Sequence, residues 1–190
     1  MAEKRAAFAD AQPGLDAARL VFVDECGVNV KLARTHGRAH RSRRARGHVP
    51  AAWGKNTTLT GAMTGGGMLA LDRRVGGGTT TARFLAFVTD VLVPALRPGQ
   101  VVVLDNLNAH RAPGVAEAVR AAGCDVLFVP PYSPEFNAVE KAWSKLKARL
   151  RRLAARTQEA PVDAITEAAA TTTASDAANW IRGAGYRLPT

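Results

Sequence analysis

LVFVDE at residues 20–25 and VVVLDN at residues 101–106 follow one pattern, four apolar residues and then an acid. Short apolar runs rich in β-branched side chains read as buried strands, so each run delivers an aspartate, Asp24 or Asp105, to a strand end. If the two strands are neighbours, about 4.8 Å apart, the carboxylates project close enough to share a cation. Bare carboxylates at that distance repel, and one pKa rises unless a cation occupies the site. A hard divalent ion with oxygen ligands removes the conflict, and Mg²⁺ is held by one or two carboxylates together with water and substrate phosphate. A third acid at the start of a helix, Glu140, would complete a site for two ions about 4 Å apart, one at the attacking oxygen and one at the departing oxygen. The chemistry implied is phosphoryl transfer.

Each acid also has a plainer role open to it. An Asp after a strand is often a turn former or a helix cap. Asn137 followed three residues later by Glu140 matches a capping box, in which the glutamate binds backbone N–H. Glu25 and Glu135 are competing carboxylates, and His110 is either an orienter of a neighbouring acid or a packing residue.

Working outward, Val28, Val30 and Leu32 alternate with polar residues after the first strand, and the basic stretch from Arg34 to His48 lacks apolar periodicity and reads as an exposed loop. Residues 55–64 and 68–75 are strand-like and joined by Gly65-Gly66-Gly67, a hairpin signal. Neither triple glycine, here or at 76–78, is followed by the Lys-Ser/Thr pair of a phosphate-binding loop. Phe84, Leu85, Val88, Leu92 and Leu96 fall at helical spacing until Pro98-Gly99. A helix follows over 113–122, with Pro113 in its first turn and Gly123 after its end, then a strand over 126–129. The last clear helix, starting between Ser133 and Asn137, carries Val139, Ala142, Leu146, Leu150 and Leu153 as an apolar stripe. This order predicts an α/β fold, a mixed sheet with parallel members and helices packed on it. The expected organisation is a linker over 1–19, a catalytic domain over 20–156 and a helical extension over 157–190.

The formal charge of +10 favours a polyanionic partner. No Asp or Glu occurs from Cys26 through Leu71, a stretch that holds Arg34, Arg38, Arg41, Arg43, Arg44 and Arg46. A second acid-free run follows Glu140, with Lys141, Lys145, Lys147, Arg149, Arg151, Arg152 and Arg156. Either run alone is as well explained by a solvated face; two beside the acidic motifs point to DNA. Cys26 and Cys124 have no metal-ligand spacing and read as buried thiols of a reducing compartment. No apolar stretch reaches the roughly 20 residues of a membrane span, and residues 1–14 lack a signal-peptide core, so a cytoplasmic, nucleoid-associated protein is expected.

VFVDECG at 21–27, VVVLDNLNAH at 101–110 and PPYSPEFNAVEKAWSKLK at 130–147 together resemble the three acidic motifs of DDE transposases of the mariner-like superfamily, especially its bacterial insertion-sequence branch. Thirty-four residues separate Asp105 from Glu140, a spacing typical of that superfamily, and the similarity runs from about Leu20 to Arg156. The resemblance implies an RNase H-like fold, with Asp24, Asp105 and Glu140 as ligands of two Mg²⁺ or Mn²⁺ ions. Glu25, Asn106, His110 and Asn137 then support those ligands, and the Arg34 to Arg46 run with Lys145, Lys147 and Arg149 contacts DNA. The implied activity is cleavage and strand transfer at transposon ends. A catalytically silent DNA-binding remnant and a nuclease without strand transfer are the alternatives. Two departures stand out: Ala138 where the family commonly has Pro, and only 19 residues ahead of Leu20, where such transposases carry helix-turn-helix domains. The expected partners are therefore transposon-end and target DNA, an upstream helix-turn-helix protein from a split frame, and a second copy of the chain.

Overall fold

A computed structural model describes residues 2–34, 36–52, 54–153 and 161–188. Arg156 and the domain boundary expected beside it lie outside the described residues. A five-stranded mixed sheet forms the centre, ordered β3-β2-β1-β4-β5. Strand β1 (Leu20–Val28) pairs antiparallel with β2 (Thr57–Thr64), which pairs antiparallel with β3 (Gly67–Val75). On its other side β1 runs parallel to β4 (Val101–Leu104), and β4 runs parallel to β5 (Asp125–Phe128). The α/β expectation holds.

Both faces of the sheet are covered, which is why β1 and β4 are apolar at consecutive positions. Leu20, Phe22, Cys26 and Val28 enter one core with α4 (Val139–Leu153), α5 (Pro161–Ala170) and α6 (Ala174–Gly183). Val21 and Val23 enter a second core with α2 (Thr81–Phe87) and α3 (Pro113–Ala121). Burying Phe22 or Phe84 fully stabilises the fold by roughly 1.5–3 kcal/mol each. Both cysteines are free and buried.

Asp24 was expected at a strand end, but β1 continues to Val28 and places it mid-strand. The parallel pairing is what stops: β4 meets β1 only from Leu20–Val101 to Phe22–Val103. Past that point β1 has a neighbour on one side only, so a gap opens where the acid sits. The helix expected over 81–96 changes pitch, with a π turn at Val88–Leu92 and a 3-10 turn at Val93–Ala95. Pro94 has no N–H to continue the α-helical ladder. Helix α4 begins at Val139, later than expected, because Pro134–Phe136 forms a separate 3-10 turn.

Two terminal segments pack on the same body. Residues 2–11, expected as a linker, form helix α1 (Ala2–Ala11), whose Phe8 ring lies 4.9 Å from that of Phe136. Buried Gln12 donates to the Ala184 carbonyl at 2.6 Å. From the C-terminal stretch, Ile165, Ala168, Ile181 and Tyr186 join the core beneath α4, and a Thr173/Asp176 capping box starts α6.

Candidate active site

Where β4 and β5 end and α4 begins, a cavity of about 330 Å³ is lined by Asp24, Asp105 and Glu140. Three unconnected elements supply these acids: mid-β1, the turn after β4, and the first turn of α4. The apolar stripe of α4 fixes the last, because Val139, Ala142, Trp143 and Leu146 are buried against the sheet and set the helix rotation. Trp143 fits only because the residue beneath is Gly61, which pairs with Asp24 across the β1/β2 ladder. A Cβ at Gly61 would lie 2.7 Å from the Trp143 ring.

Electrostatics in the cavity are those of crowded carboxylates. Burial and then the Glu140 charge, with Glu25 and Asp105 adding to them, push the Asp24 carboxyl up to about 7. Asp105 behaves oppositely: burial acts to raise it, but hydrogen bonds from His110 and the Leu107 amide outweigh that and hold it below its ordinary value. Both contacts fall on Oδ1, from His110 Nδ1 at 2.5 Å and Leu107 N–H at 3.0 Å, so Oδ2 is the oxygen left for a cation.

His110 is fully buried, its ring centroid 4.0 Å from that of Phe84. Its Nε2 lies 2.9 Å from Glu25 Oε2, so one imidazole bridges Asp105 and Glu25. Burial lowers its pKa, yet the two carboxylates more than compensate and raise it to about 9, making it an imidazolium at neutral pH. His110 thus both packs against Phe84 and contacts two carboxylates. Glu25 takes no part in the cavity lining, and Glu135 pairs with Arg5 on α1.

The two asparagines line the cavity and tie its walls together. Asn106 donates through Nδ2 to the Val129 carbonyl, joining the ends of β4 and β5. Asn137 donates through Nδ2 to the Val23 carbonyl at 3.0 Å, fastening the approach to α4 onto β1. The capping box with Glu140 does not form: the Glu140 N–H goes to the Asn137 backbone carbonyl and the Asn137 N–H to the Pro134 carbonyl, while Asn137 Oδ1 has no partner among the described residues.

The basic residues divide. Arg34, Arg38, Arg41, Arg43, Arg44 and Arg46 are all exposed in the long connection between β1 and β2. Arg34 and Arg46 line a second cavity with Arg151 and Arg152 at the end of α4, and Arg34 reaches the Arg152 carbonyl at 3.4 Å. Lys145 and Arg149, expected to contact DNA, are partly exposed and each pairs with an acid of the C-terminal helices. Lys145 holds Asp176 and the Thr171 carbonyl, each at 2.6 Å, and Arg149 pairs with Glu167. Their face of α4 meets α5 and α6, which the sequence pattern could not foretell. Lys147 lies beside Cys26, whose thiol burial pushes up and Lys147 pulls down. Arg111 and Tyr132 also line the acidic cavity; Tyr132 belongs to the PPYSPEF stretch of the third motif, and the adjacency of Arg111 to His110 was the available signal for the other.

Among the described residues, no three acid, histidine or cysteine side chains are drawn into a closed metal cage. The donor set nevertheless fits a hard divalent ion. All three cavity acids offer carboxylate oxygen, such ions leave most positions to water and phosphate, and the charge repulsion from Glu140, which adds to burial in raising Asp24, is what a cation cancels.

Three solved structures illustrate the likeness of the whole fold. A Mos1 transposase paired-end complex with the left transposon end superposes with a TM-score of 0.73 at 18% identity, over 95% of this chain and 56% of that one. A pre-cleavage Mos1 transpososome gives 0.74 at 18% identity, over 95% and 58%. The Mos1 catalytic domain with raltegravir and Mg gives 0.66 at 16% identity, over 95% and 87%. The chain thus spans a little over half of the Mos1 chains in those DNA complexes. At such identities the likeness is one of fold, and the fold is RNase H-like. No curated protein matches the chain by sequence. The sequence profile of DDE superfamily endonucleases does match, over residues 19–160, and on that match across most of its length the chain belongs to the DDE superfamily endonucleases.

Proposed function

We propose that the protein is the catalytic domain of a transposase of the bacterial insertion-sequence branch, cutting DNA at transposon ends and joining the freed ends to a target. The observation that carries this is the convergence of Asp24, Asp105 and Glu140 on one cavity in a DDE superfamily endonuclease. In the first step a water oxygen bonds to phosphorus and the P–O3′ bond breaks, leaving a 3′-hydroxyl and a 5′-phosphate. In the second, that 3′-hydroxyl bonds to a target phosphorus, loses its proton and releases a target 3′-hydroxyl.

Asp24, Asp105 and Glu140 would hold two Mg²⁺ or Mn²⁺ ions, which when bound supply charge neutralisation at the attacking and departing oxygens. His110 keeps Asp105 ionised and turned, Asn106 and Asn137 fix the strand ends that carry the acids, and exposed Arg111 faces the phosphates. Mos1 structures holding transposon-end DNA, and others holding Mg or Mn, support the choice of partner and ion. A second copy of this chain would act at the other transposon end, in the nucleoid.

The test is incubation with transposon-end duplexes and a target plasmid, with Mg²⁺, Mn²⁺ or EDTA. Metal-dependent nicking and joined product are expected from the wild type and neither from Asp105→Asn, which keeps its DNA affinity because it removes a negative charge near phosphate. Nicking without joined product would reduce the protein to a nuclease; equal loss of binding and cleavage in D105N would make Asp105 a folding residue.

A further inference from the structure

Among the described residues, five large apolar side chains are exposed, and two of them, Leu107 and Tyr132, line the acidic cavity. Tyr132 is 88% exposed, so its ring has almost no packing partner in the protein. It also adopts φ +54°, a left-handed conformation that a bulky L side chain rarely takes. Its surroundings are rigid. Pro130 and Ser133 on either side are buried, Pro131 and Pro134 restrict the chain, and the Ser133 hydroxyl donates to the Pro131 carbonyl at 3.2 Å. The fold therefore holds an aromatic ring out of its own core, in a backbone state that costs free energy, on the rim of the cavity where a phosphate would meet the acids. Unfavourable conformations of this kind persist where the surroundings enforce them and cluster at ligand clamps.

We propose that Tyr132 is a stacking platform for a nucleobase next to the phosphate under attack, with Leu107 as the second apolar wall. This rests on the reading of the cavity as a DNA-cleaving site. A base stays stacked inside intact duplex, so it meets the ring only where the helix is frayed or its base is turned out. A rigid aromatic face repays that unstacking at small entropic cost, and every base offers a π face, so the contact selects strand geometry and not sequence. Arg111, exposed at the same cavity, meets the adjoining phosphate.

The test uses the full chain without metal and two oligonucleotide duplexes of one arbitrary sequence, blunt or with a two-nucleotide overhang carrying 2-aminopurine at the junction. Wild type and Tyr132→Phe are expected to quench the fluorophore and bind the overhang probe more tightly than the blunt one. Tyr132→Ala should lose the quenching and the preference, with overhang affinity falling about 5-fold or more, the scale of base–aromatic stacking. Tyr132→Gly should lose both as well while its thermal midpoint is unchanged or raised, because glycine relieves the left-handed backbone; a structural role would lower the midpoint. Wild-type quenching and affinity in Y132A would overturn the platform alone. Failure of the wild type to bind either probe would overturn the DNA-cleaving reading and the platform with it. Concentration-dependent self-association lost in Y132A, with DNA binding intact, would make the ring a contact between copies and overturn the proposal.

Discussion

Successive side chains on a strand point to opposite faces, and on β1 this sends Asp24 toward Glu140 while Glu25 passes to the other face to meet His110 beside Phe84. His110 then stabilises two carboxylates at once. Its removal leaves Glu25, 10% exposed in its side chain, without its cation, and an uncompensated buried charge typically costs about 3–5 kcal/mol. His110→Ala should therefore unfold at markedly lower denaturant concentration, and adding Glu25→Gln should recover part of the loss. Additive losses in the double variant would show the pair to be uncoupled. Asp24 gives a pH signature. Its folded pKa of about 7 stands above the ordinary 3.8, so the metal-free folded state holds a proton that the unfolded chain releases. That stabilisation is complete below about 4 and is lost as pH rises toward 7. In EDTA, the thermal midpoint of wild type relative to Asp24→Asn should fall across that window, and Mg²⁺ at pH 7.5 should restore it. A difference independent of pH would refute the shift.

At the scale of elements, α4 both carries Glu140 and closes the core, so its seat on the sheet decides the site. Gly61 leaves room for Trp143, and Gly61→Ala would place a methyl 2.7 Å from that ring. Overpacking of this kind costs roughly 1–3 kcal/mol. Metal affinity, read by titration calorimetry, should fall together with stability as α4 lifts and takes Glu140 with it; a destabilised variant with unchanged Mg²⁺ affinity would show that the helix seat does not control the site. The other face of α4 binds α5 and α6 through Lys145 and Arg149. Lys145→Ala should therefore lower thermal stability and leave the salt dependence of DNA binding unchanged.

Across the whole molecule, positive charge collects away from these internal pairs, on the exposed arginines between β1 and β2 and on the end of α4. On the proposed reading these are phosphate contacts, which position DNA without reading it. Affinity should drop by about 0.9 log unit per log unit of salt for each phosphate neutralised. Changing Arg41, Arg43, Arg44 and Arg46 to Ala should flatten that slope equally on transposon-end and scrambled duplexes. Strong preference for the end sequence with a shallow slope would show that the chain carries its own reader. The two ends of the chain also meet at the site: Phe8 and Arg5 of α1 and the Tyr186 hydroxyl, at 2.8 Å from the Phe136 carbonyl, all brace the turn ahead of Glu140.

The amino-acid sequence by itself determined the α/β layering, because burial on both faces writes unbroken apolar runs at LVFV and VVVL, and its resemblance to the DDE motifs singled out Asp24, Asp105 and Glu140 as candidates. The same resemblance put His110 beside those acids, with a packing role equally open to it. Only the tertiary structure showed that Asp24 lines the cavity while Glu25 turns to His110, since a strand apolar at every position has no pattern to say which face is which. Only it showed that the parallel pairing ends before β1 does, that Asn137 Nδ2 donates to the Val23 carbonyl, and that Lys145 and Arg149 pair with Asp176 and Glu167. These are contacts between segments far apart in the chain, fixed when two cores close on one sheet, and no local pattern encodes their partners.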